Sequence, residues 1–362
     1  MIILLSVIFF FLILRFAVTL FNFISVPKLR RVTKHYEDKV SILVPVRNEE
    51  NTILTLLESI LQQDYSNYEV IILDDDSEDN TFSICEQFAQ VNPHFKVERG
   101  EPLPEGWLGK NFACYQLAHL ATGRYLLFLD ADEKIYRGLI NSAVHRIKTN
   151  KLALLSLFTD QEMVTLGENL VVPLMHYVLL NLLPIRLIYL SKNYAFAAAS
   201  GQFMMFEAQS YHHYQWHSVA RDKVVEDIEI MKLVKLEKLT GEALLANGMI
   251  RCRMYTGYAD AIRGFSKNFL APFNYSIPTF LFYLVVLIGG PLIVISTLNV
   301  QLIVFMFSLI VMSRTMISFL SGQRAWVNTV LHPLQMLSLA VIAYFSIQKQ
   351  LTKTSTWKGR RV

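Results

Sequence analysis

The stretch Val70-Ile71-Ile72-Leu73-Asp74-Asp75-Asp76 is an unbroken apolar run that stops at three carboxylates. A run of this kind reads as a strand buried on both faces, as in a parallel sheet. Its counterpart is Tyr125-Leu126-Leu127-Phe128-Leu129, which stops at Asp130-Ala131-Asp132. Working outward, residues 40–44 form a short β-branched strand, and Ile53, Leu56, Leu57, Ile60 and Leu61 give residues 50–63 helical spacing. Residues 77–90 and 111–121 read as further helices. Alternation of strand and helix predicts an α/β fold with a mostly parallel sheet covered by helices on both faces. Ligands of such sheets bind beyond the carboxyl ends of the strands, where both acidic clusters fall.

The ends of the chain have a different character. Of 362 residues, 53% are apolar and only 18% charged, with a mean hydropathy of +0.34. A soluble domain carries nearer a quarter charged residues, so part of the chain is expected in lipid. The excess lies in residues 1–26 and 273–347, whereas residues 35–160 carry an ordinary globular mixture, and residues 38–270 are expected to form the cytoplasmic globular domain. Disorder, collagen and coiled coil are thereby excluded. The net charge of +4 implies no nucleic-acid partner. Cys85, Cys114 and Cys252, an odd number without metal-ligand spacing, are read as buried thiols.

Residues 2–24 are long enough to cross a bilayer at about 1.5 Å per residue. No basic residue precedes them and no cleavage site follows, so the expectation is an uncleaved anchor with its N-terminus outside. Residues 277–298 and 302–320 form a membrane hairpin turning at Asn299. Residues 334–347 are short for a span and are expected to be interfacial or re-entrant. The basic clusters Lys28, Arg30, Arg31, Lys34 and Lys349, Lys353, Lys358, Arg360, Arg361 place both flanks, and the tail 348–362, in the cytoplasm under the positive-inside rule. Residues 170–190 are apolar but contain His176, Asn181, Pro184 and Arg186, which predicts a buried or interfacial helix. Residues 258–273 set Ile262, Phe265 and Phe269 at helical spacing beside Arg263 and Lys267, as in a helix lying in the interface along which a lipid could enter.

Acids at strand ends can simply terminate the strand and cap the next helix. Two such clusters on one sheet point further, because a D-x-D pair offers oxygens to a hard divalent cation that keeps positions open for diphosphate. His213 and His217 have helical spacing for a metal, but no acidic ligand supports zinc there.

The segment Ser41 to Glu50, the Asp-Asp-x-Ser-x-Asp pattern of Asp74 to Asp79, Asp130-Ala131-Asp132 and Glu226-Asp227 together resemble the family 2 glycosyltransferases, over roughly residues 40 to 235. The resemblance implies the GT-A nucleotide-sugar-binding fold. It also places Pro45 and Glu49 near the uracil and ribose of a UDP-sugar donor, with Asp75 as the nucleotide-binding carboxylate and Asp74 beside it. Asp130 and Asp132 match the family's metal and sugar-diphosphate pair, implying Mg2+ or Mn2+. Lys110 matches a basic residue suited to a diphosphate oxygen. Asp227 matches the catalytic base and Glu226 its neighbour; vicinal acids on a helix point to different faces, so only one can be the base. Asp76 departs from the family's Gly, the default at positive φ, which leaves the backbone of that turn open.

Gly106-Trp107-Leu108-Gly109-Lys110-Asn111, Gly201-Gln202-Phe203 and Trp357-Lys358-Gly359-Arg360 carry a narrower resemblance, to membrane-anchored lipid glycosyltransferases of carotenoid and hopanoid pathways. It implies an inverting, non-processive transfer of glucose from UDP-glucose to a lipid, the carboxylate of a C30 carotenoid acid in the first instance. A hopanoid or glycerolipid acceptor, a processive polysaccharide synthase and a degenerate membrane scaffold are the alternatives. The synthase is disfavoured because Gln323-Arg324-Ala325-Trp326 has the wrong spacing for the Gln-x-x-Arg-Trp element of processive relatives. The scaffold is disfavoured because every diagnostic acid is present.

Overall fold

The computed structural model describes residues 1–352, together with Thr356–Trp357 and Arg360–Arg361, which pair as a short antiparallel ribbon. The side chains of the expected tail element, Trp357, Lys358 and Arg360, lie outside the described residues. Ten strands precede the membrane region: β1 (Val40–Val46), β2 (Tyr68–Asp74), β3 (Phe95–Arg99), β4 (Tyr125–Leu129), β5 (Glu133–Ile135), β6 (Leu154–Phe158), β7 (Asp160–Gln161), β8 (Phe203–Glu207), β9 (Gly241–Leu245) and β10 (Ile250–Cys252).

Seven of them form one sheet in the order β3-β2-β1-β4-β8-β6-β9, and β5-β10-β7 form a small second sheet. β3, β2, β1 and β4 are mutually parallel, and β6 is parallel to β9. β8 runs against both β4 and β6. The α/β expectation holds, and its physical basis is visible in the alternation. Leu43 and Ile71 enter the core on one face, while Ile42, Val44, Val70 and Ile72 enter the core on the other. Because β8 is antiparallel, its first residue Phe203 lies opposite Leu129 at the end of β4. The Gly201-Gln202 pair is thereby delivered to the edge that carries Asp130.

Among the described residues, three helices are long and apolar enough to cross a membrane: Ile2–Ser25, Ile277–Ser296 and Val300–Leu320. They pack together through Ile8, Leu12, Val294, Met306 and Leu309. The second is interrupted by one π turn, Val285–Gly289, just before Gly290, whose absent side chain admits Ile8; a Cβ there would lie 3.1 Å from that residue. Asn299 caps the third helix through its side chain. The segment expected to be short is part of a longer helix, His332–Thr352, which is not apolar enough to join the three.

Residues 170–190 are not one helix. They break into Leu166–Val171, Pro173–Leu182 and Arg186–Leu190, interrupted around Pro173 and Pro184. Their polar residues are used. Asn22, a polar interruption in the first apolar helix, donates to Leu180 O at 2.9 Å and Leu183 O at 2.8 Å and accepts from Ile185 N at 2.8 Å. This contact fastens the N-terminal helix to the globular part. The amphipathic helix Tyr258–Asn268 turns its apolar side inward rather than toward lipid. Ile262 and Phe269 are buried in the main core, Phe265 packs on Tyr255, and Lys349 of the last long helix donates to Arg263 O and Ser266 Oγ.

Candidate active site

The ends of β1, β2 and β4 converge with the starts of the helices Gly109–Leu120 and Glu226–Leu236. On the nucleotide side, Asp74 is buried, and its Oδ2 accepts the Ser77 N–H at 3.2 Å, so it holds the turn after β2. Asp75 is fixed by its own N–H, which donates to Val46 O at 2.8 Å. Asp76 keeps the left-handed turn without a glycine, at φ +59°. An acidic residue with a short side chain tolerates this region better than most. Buried Arg47 braces the turn by donating to Asp75 O at 2.5 Å and Asp76 O at 2.6 Å. Pro45 stands half-buried opposite Leu73, and the Glu49 N–H donates to Thr81 Oγ1 at 2.7 Å.

Lys110 is the second residue of its helix, not a loop residue, and its ammonium lies 2.8 Å from Asp130 and 3.3 Å from Glu226. Burial alone would lower its pKa, but Asp130 and then Glu226 hold it well above the ordinary value. Asn111 on the same helix donates to Ala220 O, Arg221 O and Lys223 O. The chain leading into Glu226 is thus tied to the helix that carries Lys110. A sequence motif placed these residues near one another only by analogy; the amide of Asn111 is what does it here.

Glu226 and Asp227 take different partners, as expected of vicinal acids on a helix, although both border one glycine. Both reach Gly201: the Gly201 N–H donates to Asp227 Oδ2 at 2.8 Å, and a Cβ on Gly201 would lie 3.2 Å from Glu226 Oε1 and 3.1 Å from Lys110 Nζ. Asp227 Oδ1 also accepts the Ile228 N–H at 2.8 Å. Burial, followed by the Glu226 charge, raises the Asp227 pKa. Glu226 sits against the lysine and Asp227 does not. We therefore expect Gly201→Ala to displace the ends of flexible side chains rather than backbone, leaving thermal stability nearly intact. Catalysis should fall by about tenfold to a hundredfold, the scale of a sub-ångström to ångström misplacement. Kinetics and a melting curve on the same preparation check both halves.

Asp130 and Asp132 separate in their contacts. Asp130 is paired with Lys110, whereas Asp132 gathers with Glu133 and Cys252, with ligand atoms within 4.8 Å of one another. The Cys252 thiol donates to Asp132 Oδ2 at 3.3 Å. Burial raises Asp132, with Asp130 and then Glu49 adding to it, so Glu49 faces this acid across the site. Glu133 is buried, and neither of its carboxyl oxygens has a hydrogen-bond partner among the described residues. These carboxylates fit a hard divalent cation: their oxygens are close together and under-compensated. Burial and then the Glu133 charge push the Cys252 thiol well above its ordinary value. Glu133 and Cys252 were missed in the sequence. Glu133 directly follows the D-x-D and could have been flagged; Cys252 arrives only through pairing of β10 with β5.

The histidines do not form a metal site. His213 is exposed, whereas His217 is buried against Phe128 and Tyr211, whose hydroxyl lies 2.7 Å from its Nδ1. Burial pushes His217 down to about 3, so it is a neutral core residue.

Residues 41–214 match the model of Glycosyl transferase family 2, and the protein carries a family 2 glycosyltransferase domain. More particularly, it is 26% identical over 248 residues to the 4,4'-diaponeurosporenoate glycosyltransferase of Staphylococcus haemolyticus, a match covering 63% of this chain and 60% of that protein. The protein of the same name from Staphylococcus aureus strain USA300 is 34% identical over 112 residues, 30% of this chain and 28% of that one. The matched region thus spans less than two thirds of these relatives. Among solved structures, a mannosyltransferase from Pyrobaculum calidifontis in complex with GDP-Man and Mn2+ has a TM-score of 0.57 at 15% identity, covering 97% of this chain and 100% of that one. The fold is that of this glycosyltransferase.

Proposed function

We propose that the protein is a membrane-bound, inverting, non-processive hexosyltransferase that moves glucose from a UDP-sugar to a lipid. The acceptor in this reading is the carboxylate of a C30 carotenoid acid such as 4,4'-diaponeurosporenoate. The observation that carries it is the meeting at one sheet edge of donor-side acids, Lys110 and the Glu226-Asp227 pair, in a chain with three helices able to cross a membrane. The relatives' name supports the acceptor class.

In this reading Pro45, Glu49 and Asp75 hold the nucleoside, with Asp74 supporting the turn. Lys110, freed from Asp130 as donor binds, takes a diphosphate oxygen, as an ammionium suits. Asp130 and Asp132, with Glu133 close by, would hold Mg2+ or Mn2+, which supplies charge neutralisation for the leaving diphosphate. A Mn2+-containing relative of the fold supports that choice. Asp227 faces the acceptor and takes the proton of an attacking hydroxyl, or positions an attacking carboxylate. Glu226 stays with the lysine. The globular region, residues 38–270, is cytoplasmic, the N-terminal helix has its start outside, and residues 273–347 form the second membrane region, with the basic tail returning to the cytoplasm.

The test is mass spectrometry of lipids extracted from cells with and without the chain, supplied with the carotenoid acid. A hexose-sized gain on that acid is the expected result. The same gain on a hopanoid or diacylglycerol instead would reassign the acceptor, and a ladder of repeating gains would make the enzyme processive.

A further inference from the structure

No Asp or Glu occurs from Met1 to Tyr36 or from Ala261 to Val362, so the apolar regions contain no acid at all. They do contain Arg15, on the helix Ile2–Ser25, and Arg314, on the helix Val300–Leu320. Arginine cannot shed its proton in a protein, so each brings a permanent positive charge into the packed helices. A buried cation is costly unless it is paired with an anion.

Arg314 is buried and turned inward. Its guanidinium lies 4.5 Å from the Tyr177 ring centroid and donates to two neutral acceptors, Asn328 O at 3.3 Å and Gln335 Oε1. Arg15 has still less, since its Nε and Nη1 are buried with no hydrogen-bond partner among the described residues. The two converge on one region: Arg314 and His332 both pack on the Tyr177 ring, the histidine at 5.6 Å between centroids, and the charge of Arg15 also reaches His332. Further polar groups collect there without a well-formed hydrogen bond among the described residues: His332 Nδ1, the Tyr283 hydroxyl, and both side-chain polar atoms of Asn181, a residue only 2% exposed. Tyr283 lies against Arg15 and Asn181.

Two permanent cations, unmet donors and no acid describe a site that lacks its counter-charge. Arg15, Tyr283 and His332 are each only partly buried, so the cluster keeps an opening. Leu14 and Phe282, next to Arg15 and Tyr283 in the chain, and Leu334, two residues after His332, are exposed apolar residues, as expected where the opening faces lipid rather than water. We infer that Arg15 and Arg314, with Tyr283 and Asn181, bind the anionic head of a membrane lipid, a carboxylate or a phosphodiester, entering sideways from the bilayer. The inference rests on the membrane-bound reading above and adds to it a reason for a preference for acidic lipids.

The probes are cis-parinaric acid, a fluorescent polyene carboxylate, and its methyl ester, titrated into the purified full-length protein in neutral detergent. The acid is expected to bind at least about tenfold more tightly than the ester, the scale of one charge-assisted contact. Arg15→Gln should bring the acid to the level of the ester while leaving ester binding and UDP-sugar hydrolysis unchanged. Because Arg314→Gln could fail to fold, Arg314→Lys, checked by its melting curve, carries the second arm and should weaken acid binding severalfold. Competition by phosphatidylglycerol but not by diacylglycerol assigns the site to a phosphodiester; acid preference without that competition assigns it to a free carboxylate. Equal binding of acid and ester, or an acid preference that survives both Arg15→Gln and Arg314→Lys, overturns the inference. The proposed transfer reaction fails separately: Asp132→Asn leaves acid binding in place, and an enzyme that binds the acid yet adds no sugar to any lipid refutes the function and not the site.

Discussion

Asp132→Asn is expected to lower sugar transfer by roughly a thousandfold while the protein still folds and inserts. The carboxylate sits beside Asp130, Glu49 and Glu133 in a cluster whose acids exceed their local cations. Removing one charge relieves that repulsion, so stability should hold or rise slightly. What is lost is the divalent cation's grip, and such a cation is worth several kcal/mol of transition-state charge. A loss of about 4 kcal/mol corresponds to that thousandfold. The measurement is transfer rate against Mn2+ concentration for both proteins. Wild type should fall to the same level in excess chelator, and full activity there would remove the metal from the mechanism. Cys252→Ser, by contrast, should leave transfer within a few-fold, because a serine hydroxyl can still donate to Asp132 as the thiol does.

For Asp227→Asn the expected loss depends on the acceptor. A hydroxyl must give up its proton as it attacks, and removing a positioned base costs about 10² to 10⁴ in rate. A carboxylate acceptor, with an ordinary pKa of about 4, is already ionised at neutral pH and should lose far less. The pH profile separates the cases as well. Burial and Glu226 raise the Asp227 pKa to about 7, so below that pH the base is protonated and idle. With an alcohol acceptor, activity should therefore rise with pH through about 7, and Asp227→Asn should erase that limb. With the carotenoid acid the limb should be weak in both proteins. A severe loss on a verified carboxylate acceptor would make Asp227 a positioning residue, a role its bond to the Gly201 N–H already allows.

The sheet, its acidic edge and the three long apolar helices were legible in the sequence because each depends on local pattern. A buried parallel strand must be apolar on both faces, so residues 70–73 and 125–129 announce themselves, and a bilayer demands an unbroken apolar length. The Asp74-to-Asp79 and Asp130-to-Asp132 clusters were legible for the same reason, since a strand's end is a local event. Three matters were decided only by tertiary structure. An apolar stripe at helical spacing looks the same whether lipid or protein covers it, so only packing could show that Ile262 and Phe269 enter the core. The direction of β8 brings Gly201 to Asp130, and with it gathers Glu226, Asp227 and Lys110 around a position with no side chain; no spacing rule predicts that meeting of residues as far apart in the chain as Lys110 and Asp227. Along the chain Arg15 and Arg314 stand some three hundred residues apart, each within an apolar run. That they turn toward one another's neighbourhood, into an interior without an acid, follows from how the helices cross, because charge in a low-dielectric interior is governed by what stands beside it in space and not by what precedes it in the chain.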